Sequence, residues 1–359
     1  MIYPGLSRSG YLRRRQGLGP AIVTYHGVLP AGYRGIDSTL DGSLISAETL
    51  RRQIRLLQRD YQVISPDRFR EWCEGKRDAP PRAVLLTCDD GLQNVLTDML
   101  PVLQECSVQC LFFVTGGSLH DARSVLWYEE LYLMLLSAPQ GCSFTIPELG
   151  LPVAVSTSQS MRGQWWELVK QMSRYDRDTR QQLLEEIRIQ LGLADIWMTK
   201  YLSDAGLRRF GLLTPLQVRG LMNAGMTIGA HTLSHPMLSL TPEEAAHDEI
   251  SQNLEQISHL LGRQVWAFAY PFGDSASVSA RELRLAEQAG FSCAFMNGAG
   301  GFGAEMPRFA LPRVHVTAEM SLAEFEAHVS GFYRDLRRRF AGRDENLAIS
   351  VQGAENGCQ

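Results

Sequence analysis

Short apolar runs rich in β-branched residues alternate with longer amphipathic stretches along most of this chain, and few architectures accept that order. The runs are Ile22–Tyr25, Val84–Thr87, Leu111–Val114, Thr227–Gly229, Val265–Ala269, Ser292–Phe295 and Val314–Val316. Between them, Ser46–Asp60 carries Leu50, Ile54 and Leu57 at helical spacing behind a serine cap, which predicts an amphipathic helix. Further helices are expected at Asn94–Gln104, Pro215–Ala224, Pro242–Leu261, Ala280–Ala289 and Leu322–Phe340. Strands alternating with helices predict an α/β protein.

The alternation fails between about residues 120 and 212, where helical patterns surround a Gly/Pro-punctuated stretch, Pro139–Pro152. This segment reads as a mainly helical insertion in a single domain of residues 20–340, followed by a polar, flexible tail at 341–359. Its aromatic residues Trp127, Tyr128, Trp165 and Trp166 either line a sugar-binding cleft or pack a core.

A net charge of −4, with the 35 basic residues spread along the chain, lacks the footprint of a nucleic-acid binder. The seven cysteines are odd in number and form no CxxC pair, which argues against a disulfide framework or a thiolate zinc knuckle. No apolar run is long enough for a secretory signal or a membrane span, so the expected compartment is the cytoplasm. The cluster Arg13, Arg14, Arg15 either makes a peripheral contact with an anionic membrane surface or is simply solvated.

Three motifs carry chemistry. In Leu85-Leu86-Thr87-Cys88-Asp89-Asp90-Gly91 an apolar strand runs into two acids and a glycine. Adjacent residues leaving a strand point to different sides, so one carboxylate can bind a metal while the other accepts a proton. The plainer alternative is a solvated turn with Gly91 at positive φ. In His231-Thr232-Leu233-Ser234-His235 two imidazoles four residues apart meet on one face if the chain turns helically between them, a spacing that suits a divalent metal. With one acid they make a two-histidine, one-carboxylate set with open positions. In Phe268-Ala269-Tyr270-Pro271-Phe272-Gly273-Asp274 a strand stops at a proline. A backbone N–H near Tyr270 can point into the site, with Pro271 and Phe272 as walls; alone, the motif is an ordinary strand-ending turn.

In this order the motifs resemble the NodB-homology polysaccharide deacetylases, carbohydrate esterase family four, over roughly residues 20–118 and 213–318. The resemblance implies a distorted (β/α) barrel and a divalent metal ion, zinc in the first instance, on Asp90, His231 and His235. It makes Asp89 the general base and an acetylated glycan or glycan precursor the partner. The family often has an arginine in the third motif that orients the catalytic Asp, where this chain has Ala269. Arg313 either substitutes for it or makes a surface ion pair. Val23-Thr24-Tyr25-His26-Gly27-Val28 is similar to a segment of the poly-N-acetylglucosamine deacetylase branch, which makes His26 the preferred general acid and His315 the second candidate. The implied activity is metal-dependent hydrolysis of an N-acetyl group. An O-acetyl esterase using the same site and a catalytically silent glycan-binding protein are the alternatives.

Overall fold

The structure is a computed structural model that describes residues 3–14, 19–119, 125–139, 141–150, 153–155, 159–298 and 307–341. Its strands are β1 Ala21–Tyr25, β2 Gln62–Val63, β3 Ala83–Cys88, β4 Leu111–Val114, β5 Ser143–Phe144, β6 Val153–Ala154, β7 Thr227–Ala230, β8 Ala267–Ala269, β9 Cys293–Asn297 and β10 Leu311–His315. Seven of them (β1, β3, β4, β7, β8, β9 and β10) close a parallel barrel whose ring order is the chain order. Closure runs through β1, which pairs with β3 from Ala21↔Val84 to Tyr25↔Cys88 and with β10 at Val23↔Val314. The short β2 adds only to the first residues of β3.

Barrel strands face side chains inside and helices outside, so neither face meets water. Every residue of β1, β3, β4 and β8 is buried, and their sequences are accordingly near-continuous apolar runs. Helix Ala47–Asp60 covers one flank, with Ser46 capping Thr49 N–H and Leu50, Ile54, Leu56 and Leu57 turned inward. Because all seven strands are parallel, their C-terminal ends gather at one mouth.

Several boundaries depart from the sequence expectation. The segment expected as one helix over Asn94–Gln104 opens with a π turn, Val95–Met99, before α-helix Leu100–Glu105. Pro101 has no N–H to continue the ordinary ladder, and Leu100 N–H reaches five residues back to the Val95 carbonyl, widening the turn. Leu322–Phe340 is two helices, Leu322–Val329 and Phe332–Ala341, parted at Gly331 with φ +73°, a value that glycine adopts freely. The last barrel strand starts earlier than expected, at Leu311. Helix Pro66–Cys73, capped by Ser65, was not anticipated. Arg15 and residues 342–359 lie outside the described residues.

Helices Trp127–Ser137, Gln159–Met172, Arg177–Gln190 and Asp204–Phe210 of the insertion share a second hydrophobic cluster. It draws in Leu40 and Met237 from the barrel loops, and Phe272 packs against it. Among the described residues no helix is long and apolar enough to cross a membrane.

Candidate active site

The two acids part because the backbone reverses between them. Asp89 continues the strand, its N–H donating to the Tyr25 carbonyl at 3.0 Å, whereas Asp90 and Gly91 take φ of +73° and +76°. Asp89 turns to Arg313: the guanidinium donates to Oδ1 at 2.6 Å and to Oδ2 at 2.5 Å. Both side chains are buried, at 1% and 0% exposure. Arg313 is therefore no surface ion pair; it reaches the acid that the arginine missing at Ala269 was expected to hold. Burial alone would raise the Asp89 carboxyl, but the Arg313 guanidinium first, together with the nearby His231 and His26, holds the group below the usual carboxylate range. Asn297, at the end of β9, accepts from Arg313 at 2.9 Å and donates to the Phe272 carbonyl at 3.0 Å. Nothing in the sequence motifs had pointed to it.

Asp90 turns the other way. Its Oδ1 lies 3.5 Å from His231 Nε2 and 3.3 Å from His235 Nε2, and it is buried without a hydrogen-bond partner. The three ligand-type atoms lie within 4.8 Å of one another. His231 Nδ1 is 2.7 Å from the Ala269 carbonyl, which sets Nδ1 as the protonated nitrogen and leaves the Nε2 lone pair facing Asp90. Burial pushes His235 below its ordinary value, favouring the neutral ring that a metal needs. An orphaned buried carboxylate oxygen facing two imidazole nitrogens fits a divalent transition metal. The histidines do not meet through a helical turn, as expected, but through a loop in which Thr232 and His235 have φ of +64° and +60°. Thr232 Oγ1 accepts the His235 N–H at 3.0 Å.

The third motif is placed differently from expectation. Tyr270 N–H donates to the Phe295 carbonyl at 3.1 Å, and its hydroxyl to the Phe309 carbonyl at 3.0 Å. It is fully buried beside Phe268 and neither lines the cavity nor offers it a donor, because strand pairing runs one residue past β8. Pro271 is likewise buried. Of these three Phe272 alone reaches the cavity, which Asp274 at the end of the motif also lines; the Phe272 amide has no partner among the described residues. Among the described residues, Asp90, Thr232, His235 and Phe272 are four of the six non-glycine residues with positive φ; such strain gathers at functional sites.

His26 and His315 both line the mouth, with ring centroids 4.7 Å apart. His26 Nδ1 is buried without a partner. His315 sits at the rim with its edge exposed; partial withdrawal from water, then the neighbouring His26, depress its imidazole. Gly27 lets Asn94 approach: a Cβ there would lie 2.1 Å from Asn94 Oδ1, the acceptor of Val28 N–H.

These groups floor a cavity of about 770 Å³ whose wall includes Tyr128, Trp165, Trp166 and Phe272. The four aromatics of the insertion thus divide. Trp127 and Trp165 are 7% and 6% exposed, while Tyr128 and Trp166 meet Phe272 with ring centroids 5.4 Å apart in each case, the first tilted and the second edge-on.

The polysaccharide deacetylase family model matches residues 76–176 and 193–294. The chain is 26% identical over 118 residues to YxkH of Bacillus subtilis (strain 168), a protein whose name places it among the polysaccharide deacetylases; the match covers 33% of this chain and 41% of YxkH, so the chain spans about two fifths of that relative's length. Among solved structures it resembles the Streptococcus pyogenes deacetylase PplD in complex with acetate (TM-score 0.55, 14% identity, 87% of this chain and 99% of that one). It also resembles IcaB from Ammonifex degensii (0.53, 17%, 88% and 98%) and a de-N-acetylase from Aggregatibacter actinomycetemcomitans (0.53, 14%, 86% and 98%). At these identities the likeness is one of fold.

Proposed function

The chain belongs to the polysaccharide deacetylase family, and we propose that it hydrolyses the N-acetyl group of a sugar in a polysaccharide or its biosynthetic precursor. The observation that carries this reading is the division of labour between the two acids. One is locked to a buried arginine and stays ionised; the other keeps a free oxygen opposite the Nε2 atoms of two histidines. A divalent metal, zinc in the first instance, held by Asp90, His231 and His235 would polarise the acetyl carbonyl and bring bound water towards a pKa of ~7.

Asp89 accepts the water proton, and Arg313, braced by Asn297, keeps that carboxylate charged and aimed. The unpartnered Phe272 amide is the donor offered to the developing oxyanion, a contact whose loss costs about 10²–10³ in rate. His26 gives its proton to the departing nitrogen; the depressed His315 beside it lacks a proton to give near neutral pH. Tyr128, Trp166 and Phe272 offer apolar faces to sugar rings.

The test is acetate release from N-acetylglucosamine oligosaccharides and from O-acetylated sugars, before and after chelation. We expect release from the N-acetylated set, loss on chelation and recovery with zinc. Release from O-acetylated sugars alone would make the protein an esterase. No release from any of them with metal supplied would leave a glycan-binding protein.

A further inference from the structure

The loop that carries both histidines is held from the barrel side and, independently, from the insertion. On the barrel side Gly116 and Gly117 N–H donate to the Thr232 and Leu233 carbonyls at 2.9 and 2.6 Å. From the insertion, Trp127 Nε1 donates to the His235 carbonyl at 3.0 Å. Arg180, 2% exposed, donates to Ser234 Oγ and to Glu249 Oε1, the latter at 3.4 Å, with its guanidinium carbon 5.1 Å from the Trp127 ring. Glu249 Oε2 accepts the Ser234 N–H at 2.8 Å. Two residues past His235, Ser173 Oγ accepts the Met237 N–H at 3.1 Å. Thr232 and His235 stand at positive φ, and such conformations persist only where their surroundings over-determine them.

We infer that the insertion is a clamp on the ligand loop, with its Trp127 and Arg180, the latter paired to Glu249 of the barrel helix Glu243–Leu261, as positioning residues that fix His235 opposite Asp90. This rests on the metal reading given above and deepens it: affinity for the ion depends on a part of the chain that contributes none of its three ligands. The clamp needs both a buried ion pair and a buried indole N–H. A buried arginine left without its carboxylate, or a carbonyl left without its donor, favours another loop geometry.

Trp127→Phe keeps the ring and removes only the N–H; Glu249→Gln keeps the shape and removes the charge. The control is Trp197→Phe in the same insertion, whose ring meets Tyr201 at 6.2 Å and none of the loop. Two quantities are measured on the 359-residue chain: zinc affinity by calorimetry, and hydrogen exchange of the metal-free protein over residues 231–237. In both clamp variants zinc Kd should rise about 10–100-fold and loop exchange should accelerate; Trp127→Phe should do so with a thermal midpoint close to wild type, while Glu249→Gln also lowers the midpoint because it leaves Arg180 buried and unpaired. The control should move neither. Wild-type zinc affinity in both variants, or unchanged loop exchange in both, overturns the clamp. A wild-type protein that takes up no zinc, while the variants still exchange faster, removes the metal reading and leaves the clamp standing.

Discussion

The barrel mouth and the insertion face each other across one cavity, yet they are assembled by different rules. Reacting groups of the mouth stand just beyond strand ends, His26 after β1, Asp89 and Asp90 after β3 and His231 after β7, while Arg313 reaches Asp89 from within β10. Their positions follow from strand pairing, which a parallel barrel fixes rigidly. The insertion supplies Tyr128 and Trp166 from separate helices that have their own hydrophobic cluster. Chemistry is placed on the rigid part, and the wall that meets the substrate on the part free to vary.

The largest effect that would sharpen this contrast is Asp90→Ala. It removes the oxygen that faces both histidines, and we expect zinc content near zero and turnover reduced by at least about 10³-fold. Stoichiometric zinc in the purified variant would mean that the mouth does not hold the ion in this way. Next in size is Arg313→Met, which leaves Asp89 buried and unpaired; about 3–5 kcal/mol of stability should be lost in denaturant unfolding. Arg313→Lys should recover only part of it, since an ammonium cannot make the two parallel bonds.

The same contrast explains what could be read from the sequence. Barrel strands announce themselves because burial on both faces makes them apolar throughout, and the expected Leu111–Val114 coincides with β4. The acids and histidines were legible because each lies within a few residues of such a run. Arg313 was named only as one of two alternatives, since its partner is 224 residues away and no local pattern records that contact. Asn297, Arg180 and Glu249 went unnoticed for the same reason. Tyr270 was misplaced because a strand end read from composition is uncertain by a residue or two, and here pairing with Phe295 continues past it. The break at Gly331 was missed because apolar residues at helical spacing run across it.

Trp166→Ala tests the wall. It removes an apolar face used alike in ground and transition states, so KM should rise several-fold with kcat within about twofold; a matching fall in kcat would give the insertion a share of the chemistry. The smallest effect concerns Glu130, on the insertion helix Trp127–Ser137. Burial, then the nearby Glu185, push its carboxyl up to about 7 from 4.5. The folded state binds that proton more tightly than the unfolded chain, so stability falls as pH rises from 4.5 to about 7 and stays lower above it. Glu130→Gln should therefore raise the thermal midpoint at pH 8 by about 2–4 °C and give no such gain at pH 4.

The central claim is that two adjacent acids do different work, and Asp89→Asn tests it most directly. Zinc content and turnover of an N-acetylated oligosaccharide are measured on one preparation. The division of labour predicts wild-type zinc with turnover lowered about 10²–10⁴-fold, because an amide keeps the shape and cannot take the proton. Loss of zinc on that substitution, or turnover that survives it, would contradict the assignment.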